Sequence, residues 1–149
     1  MILADADATT RAGAALAALV RGGDAIALIG DLGAGKTTLV AGLVAALGAG
    51  EASSPTFSLV HRYDGGRLVV WHIDLYRIAR ATELPELGLD DAIGAPDAVA
   101  LVEWADAWDV MPPDHLRLEL GHAPVGRTLV ASGSGRGGVL AAELLASLS

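Results

Sequence analysis

Apolar and polar positions divide the chain into a short series of elements. The alanine- and leucine-rich stretch ATTRAGAALAALV, residues 8–20, predicts a helix with Asp7 or Thr9 as N-cap and Gly22-Gly23 as the stop. AIALI, residues 25–29, is a continuous apolar run and predicts a buried strand; residues 37–47 predict a second helix that ends at Gly48, followed by a loop over 48–55. FSLVHRY and RLVVWHID predict two strands around Asp64-Gly65-Gly66, a β-hairpin, because aspartate and glycine tolerate the positive φ of such turns. Residues 75–98 are mixed, and ATELPELGLDDAIG predicts short helical turns interrupted at Pro85 and Gly88. AVALVE, residues 98–103, is an apolar strand that ends on an acid. Residues 115–120 and 127–132 predict two more strands, and residues 139–148 a closing helix. Helices alternating with strands, and a hairpin among them, predict one α/β domain over residues 1–149 with a mixed sheet.

Composition narrows the class. The chain is 52% hydrophobic, but alanine supplies much of that, and no apolar run approaches the roughly 18 residues of a membrane span. Arg11 is the only basic residue ahead of the first apolar stretch, which carries no signal-peptide cleavage pattern. Cysteine is absent, so disulfides, thiolate metal sites and cysteine catalysis are excluded. A cytoplasmic protein without membrane association is expected. The net charge of −8 gives no basic face with which to grip nucleic acid directly. Lys36 is the single lysine, and its isolation favours a chemical role.

That lysine stands in GDLGAGKTT, residues 30–38, which fits G-x-x-x-x-G-K-[ST] at every fixed position between a predicted strand and a predicted helix. Glycines let backbone N–H groups turn inward around phosphate oxygens, and the following helix points its positive end at the same place. Asp31, Leu32, Gly33, Ala34, Gly35, Lys36, Thr37 and Thr38 are therefore the expected nucleotide-binding residues, with Lys36 on the β- and γ-phosphates and Thr37 on Mg²⁺. A second run, GSGRGG at 133–138, matches G-x-G-x-x-G between a strand and a helix. A dinucleotide site needs a further strand and an acid about 20 residues on. Neither follows, so this run is read as a loop.

A phosphate loop needs an acid at the end of a neighbouring strand. Asp74 and Glu103 both end apolar runs. Glu103 suits the metal better, because a continuously apolar strand belongs in the buried centre of a parallel sheet; Asp74 is placed to orient or deprotonate the attacking water. Thr56 or Ser54 of SSPTFS could reach the metal as a switch hydroxyl, and Arg77 is the nearest candidate cation for developing charge. His61, His72, His115 and His122 show no metal-ligand spacing and read as structural or exposed. Core packing is the expected role of Trp71 and, on the residues alone, of Trp104.

GDLGAGKTT, SPTF, HIDLYR, ELGLDD and VEWAD, in this order and spacing, resemble the bacterial TsaE family of P-loop ATPases, which serves threonylcarbamoyladenosine formation in tRNA. The resemblance implies ATP and Mg²⁺ as cofactors, Lys36 on phosphate, Thr37 and Glu103 on magnesium, Asp74 in hydrolysis, and Trp104 as a functional neighbour. It places base contacts near Ala6 to Thr9, and SPTF in a switch-like loop. It further implies an accessory motor for a TsaB–TsaD pair, in which TsaD transfers the threonylcarbamoyl group and tRNA is met only through that complex. A small nucleoside or metabolite kinase and a nucleotide-gated binding module are the competing readings. The short chain leaves little room for a kinase lid, two acids argue against a module without hydrolysis, and no guanine-reading N-K-x-D occurs.

Overall fold

A computed structural model of the chain describes residues 1–51 and 59–149. Its elements run β1 (Ile2–Leu3), α1 (Ala6–Leu19), β2 (Ala25–Ile29), α2 (Lys36–Ala46), β3 (Gly50–Glu51), β4 (Val60–Asp64), β5 (Val69–Asp74), a 3₁₀ helix (Ala81–Leu87), α3 (Leu89–Ala92), β6 (Ala98–Glu103), a 3₁₀ turn (Ala105–Ala107), β7 (Leu116–His122), β8 (Arg127–Gly133) and α4 (Arg136–Leu148). The strands form one mixed sheet in the order β1-β8-β7-β2-β6-β5-β4-β3. Its centre, β7-β2-β6-β5, is parallel, and the pairs on either flank, including the β4–β5 hairpin, are antiparallel.

This is the expected α/β architecture. All six residues of β6 are buried between β2 and β5, as a continuously apolar strand requires. One face of the sheet is covered by α1, α2 and α4, whose Leu16, Leu39, Leu43, Leu140 and Leu144 pack on Ile26, Leu28, Leu101 and Leu118. The other face carries Ile73 and Val102 under Leu75, Leu89 and Ala92, with Leu84 and Met111 at its margin. Helices α1 and α2 touch backbone to backbone: a Cβ on Gly13 would strike the Leu39 carbonyl, and one on Gly42 the Thr10 carbonyl.

Several boundaries differ from those the sequence predicts. Asp5, not Asp7 or Thr9, caps α1, its Oδ1 accepting from Ala8 N at 2.8 Å, so Ala6 opens the helix instead of preceding it. The helix ends at Leu19, before the glycines. Helix α2 begins one residue earlier than expected, at Lys36. The loop after Gly48 contains β3, which adds an outer strand beside β4, and β1 is a strand that no sequence pattern indicated. Pro85 lies inside the 3₁₀ helix without breaking it, and Gly88 at φ 68 ends it. Strand β7 starts after His115 and runs on to His122. Helix α4 starts at Arg136, three residues before the expected Val139, so GSGRGG is only partly a loop.

Candidate functional site

The chain leaves β2 at Ile29, turns through residues 30–35 and enters α2 at Lys36. Gly33 (φ 81) and Gly35 (φ 107) hold left-handed conformations that side chains disfavour. Ala34 N donates to Asp31 O at 3.0 Å and folds the turn, while the Ala34 methyl is fully buried beneath it. Gly35 is the N-cap of α2 and supplies no side-chain cap, so the first amides of an eleven-residue helix look outward for an acceptor. The space they face is open: a Cβ on Gly33 would meet nothing within 4 Å, and one on Gly35 only the Thr9 side chain, at 3.5 Å. Asp31, Leu32 and Thr37 are exposed and Thr38 is half-buried.

Two acids stand beside this loop. Asp74 ends β5, Glu103 ends β6, and the two are register partners in the parallel ladder, with Leu28 of β2 on the far side of Glu103. Partnered residues of adjacent strands share a face, so both carboxylates rise on the side of the sheet that carries α2. Glu103 is only 7% exposed. Its Oε1 lies 3.4 Å from Lys36 Nζ, which also donates to the Gly30 carbonyl, and its Oε2 accepts from His72 Nε2 at 2.6 Å. Burial pushes the Glu103 carboxyl upward, but the His72 hydrogen bond and charge, with Lys36, outweigh it and hold the group below its ordinary value. Asp74 is half-buried and accepts from Tyr76 N at 3.0 Å through Oδ1.

Trp104 does not pack in the core. It is 45% exposed and is the one non-glycine residue with positive φ (63°) among the described residues. Its indole lies 5.1 Å from the Tyr76 ring and 5.9 Å from Lys36 Nζ, a cation–π distance, so it walls the lysine side of the site. Trp71 is half-buried against the opposite face and carries Arg62 over its ring at 5.6 Å.

The remaining expected residues fall nearer or farther. Ala6 is exposed in the first turn of α1, and Thr9, one turn on, is buried against Gly35, which brings that helix end to the phosphate loop. Arg77 is exposed just beyond Asp74. Ser54 and Thr56 lie outside the described residues. His115 bonds the Pro112 carbonyl at 2.6 Å, His61 lies 3.7 Å from Glu51, and His122 is exposed, as the sequence implied. His72 departs from that reading because it bonds the site acid. Strand alternation is the signal that could have found it: positions 72 and 74 share a face. Arg127 was also missed; it reaches from the start of β8 to donate to the Gly33 carbonyl at 3.1 Å, a contact between residues 94 positions apart that no local pattern encodes. A separate groove of about 840 Å³, bordered by Leu84, Leu89, Asp90, Asp91, Asp109 and Met111, shares no residue with the loop.

The family model described as threonylcarbamoyl adenosine biosynthesis protein TsaE matches residues 3–129. Among curated relatives, the tRNA threonylcarbamoyladenosine biosynthesis protein TsaE of Nostoc sp. is 35% identical over 130 residues, covering 85% of this chain and 80% of the relative. The protein of the same name from Streptomyces coelicolor is 42% identical over 118 residues, covering 74% of this chain and 77% of the relative. The crystal structure of YdiB from Bacillus subtilis superposes with a TM-score of 0.77 at 28% identity, covering 97% of this chain and 92% of that one. The family match over residues 3–129 and these relatives show that the chain belongs to the TsaE family.

Proposed function

We propose that this protein is a cytoplasmic, Mg²⁺-dependent ATPase that acts as an accessory subunit in threonylcarbamoyladenosine modification of tRNA, together with TsaB and TsaD. The observation that carries the reading is the adjacency of Asp74 and Glu103 beside an uncapped glycine loop, in a chain of the TsaE family. The relatives' names support the pathway, and the loop with its neighbouring acids supports the chemistry. No described helix is long and apolar enough to cross a membrane.

The loop amides and the start of α2 bind the triphosphate, and Lys36 neutralises its β- and γ-oxygens. Asp74 holds or deprotonates the attacking water. Trp104 and Tyr76 shield that chemistry on one side. Thr37 and Glu103 would hold magnesium, which when bound offsets charge on the phosphates. The donor set fits a hard cation, because both candidate ligands, the Thr37 hydroxyl and the Glu103 carboxylate, offer oxygen. With a net charge of −8 the chain meets tRNA through its partners.

The test is reconstitution. Purified protein is expected to hydrolyse ATP weakly alone, to bind TsaB–TsaD in an ATP-dependent pull-down, and to support threonylcarbamoylation of tRNA. Phosphate transfer to a nucleoside or sugar faster than to water would replace this reading with a kinase.

A further inference from the structure

The Glu103 carboxylate is bonded on both sides, and the two sides differ in kind. Oε1 faces Lys36 at 3.4 Å, a distance that leaves the oxygen loosely engaged, whereas Oε2 is fixed by His72 at 2.6 Å. His72 sits on β5 two residues before Asp74, on the same face, and its side chain is 14% exposed. A carboxylate only accepts, so Nε2 carries the proton in this bond. Its ring lies 6.4 Å from that of His61, its register partner on β4. Glu103 hangs from the end of a strand with three side-chain torsions of its own, and nothing else among the described residues bonds its Oε2.

We propose that His72 is a positioning residue: by holding Oε2 it aims Oε1 of Glu103 at the phosphate loop, where that oxygen serves the divalent cation that accompanies the nucleotide. The inference rests on the Mg²⁺-nucleotide reading above and assigns the orientation of its acid. Removing an outer partner of a metal ligand typically costs about 10- to 100-fold in metal affinity. A histidine that merely satisfied a buried charge would, when lost, destabilise the fold without separating metal-dependent from metal-independent binding.

The chain contains one lysine, so ¹³C-lysine labelling gives one side-chain reporter, Lys36, next to the oxygen in question. His72→Leu, without nucleotide, should move the Lys36 Cε signal as the carboxylate swings, whereas His72→Gln, which keeps a donor, should leave it near its wild-type position. Measured with ADP, His72→Leu should lose about tenfold of the affinity gained on adding Mg²⁺, with metal-free affinity within about twofold of wild type. In turnover, kcat should fall more than KM rises, and His72→Gln should restore most of the loss. If His72→Leu does not fold, His72→Asn, polar but too short to reach Oε2, carries the same expectations. An unmoved lysine signal, an unchanged Mg²⁺ response, or equal losses with and without metal would overturn the role of His72 while leaving the ATPase reading intact. Wild-type protein that binds ADP without any response to Mg²⁺ would overturn both.

Discussion

Two glycine-rich turns in this molecule each lead from a strand into a helix, and only one of them stands beside the paired acids Asp74 and Glu103. Residues 30–35 join β2 to α2; residues 134 and 135 join β8 to α4, within the GSGRGG stretch. Both helices start on a positive-φ glycine with no side-chain cap, Gly35 at φ 107 and Gly135 at φ 54. The difference lies in what surrounds them. In the first turn Gly33 and Gly35 have room, and only a Cβ on Gly30 would strike backbone, at the Leu120 carbonyl. At the second, a Cβ on Gly135 meets only the Asp114 side chain, but one on Gly133 would strike backbone of Gly137 and His115, and one on Gly137 the His115 carbonyl. Gly137 N already donates to the Asp114 carbonyl at 2.8 Å, so one of the helix's first amides is taken. The cations differ likewise. Arg136 is committed to Asp24 at 3.0 and 3.1 Å and to the Leu19 carbonyl, which ties α4 to the loop between α1 and β2. Lys36 instead stands between Glu103, at 3.4 Å, and the Gly30 carbonyl, with the exposed Trp104 indole 5.9 Å away. The first turn thus combines amides that face open space with a lysine held by a strand-end carboxylate and the Gly30 carbonyl, whereas the second is tied into the fold through Arg136 and Gly137.

That contrast can be broken or sharpened by mutation. The largest effect is expected for Lys36→Ala, which should lower Mg·ATP affinity or turnover by roughly a hundredfold or more in calorimetry or phosphate-release assays. Asp74→Ala should come next: ATP binding within about threefold of wild type, but turnover reduced by about a hundredfold. Normal turnover in that variant would remove Asp74 from the chemistry. On the packed turn the expected losses are in stability. Gly137→Ala should cost about 2–3 kcal/mol in denaturant unfolding, because the methyl must displace the His115 backbone, and nucleotide affinity of the folded fraction should not change. Arg136→Ala should cost about 1–2 kcal/mol, since it leaves Asp24, 8% exposed, without its cation. Gly33→Ala is expected to cost least, about 1 kcal/mol from left-handed strain alone, because nothing crowds its Cβ. If Gly33→Ala proved more disruptive to folding than Gly137→Ala, the distinction between an open and a filled turn would be wrong.

The elements that locate the site were legible because each depends on a short, continuous pattern. The buried strands β2 and β6 have the predicted bounds, and the phosphate loop stands between β2 and α2 as its motif demands. The misread boundaries sit where distant chain decides. Strand β1 is two residues long and exists because β8 pairs with it, Ile2 with Thr128 and Leu3 with Arg127. Helix α4 extends back through Arg136 because Asp24 and the Leu19 carbonyl hold that side chain in place. Trp104 looked like core on residue type alone, yet it follows Glu103 out of the sheet and turns into a left-handed conformation at the site's edge.

By itself the sequence determined the glycine loop between β2 and α2 and the two strand-end acids, because glycine positions and apolar runs ending in a carboxylate act through local backbone geometry, and its ordered motifs pointed to the family. It could not determine which groups surround those acids. That Asp74 and Glu103 stand side by side follows from the parallel register of β5 and β6, and that His72 bonds Glu103 follows from strand alternation carried across two strands. The Arg127 contact with Gly33 likewise requires the far end of the sheet to close against the loop. Pairing and closure are set by the burial of whole sheet faces, a property of all the strands together, and so only the tertiary structure decided them.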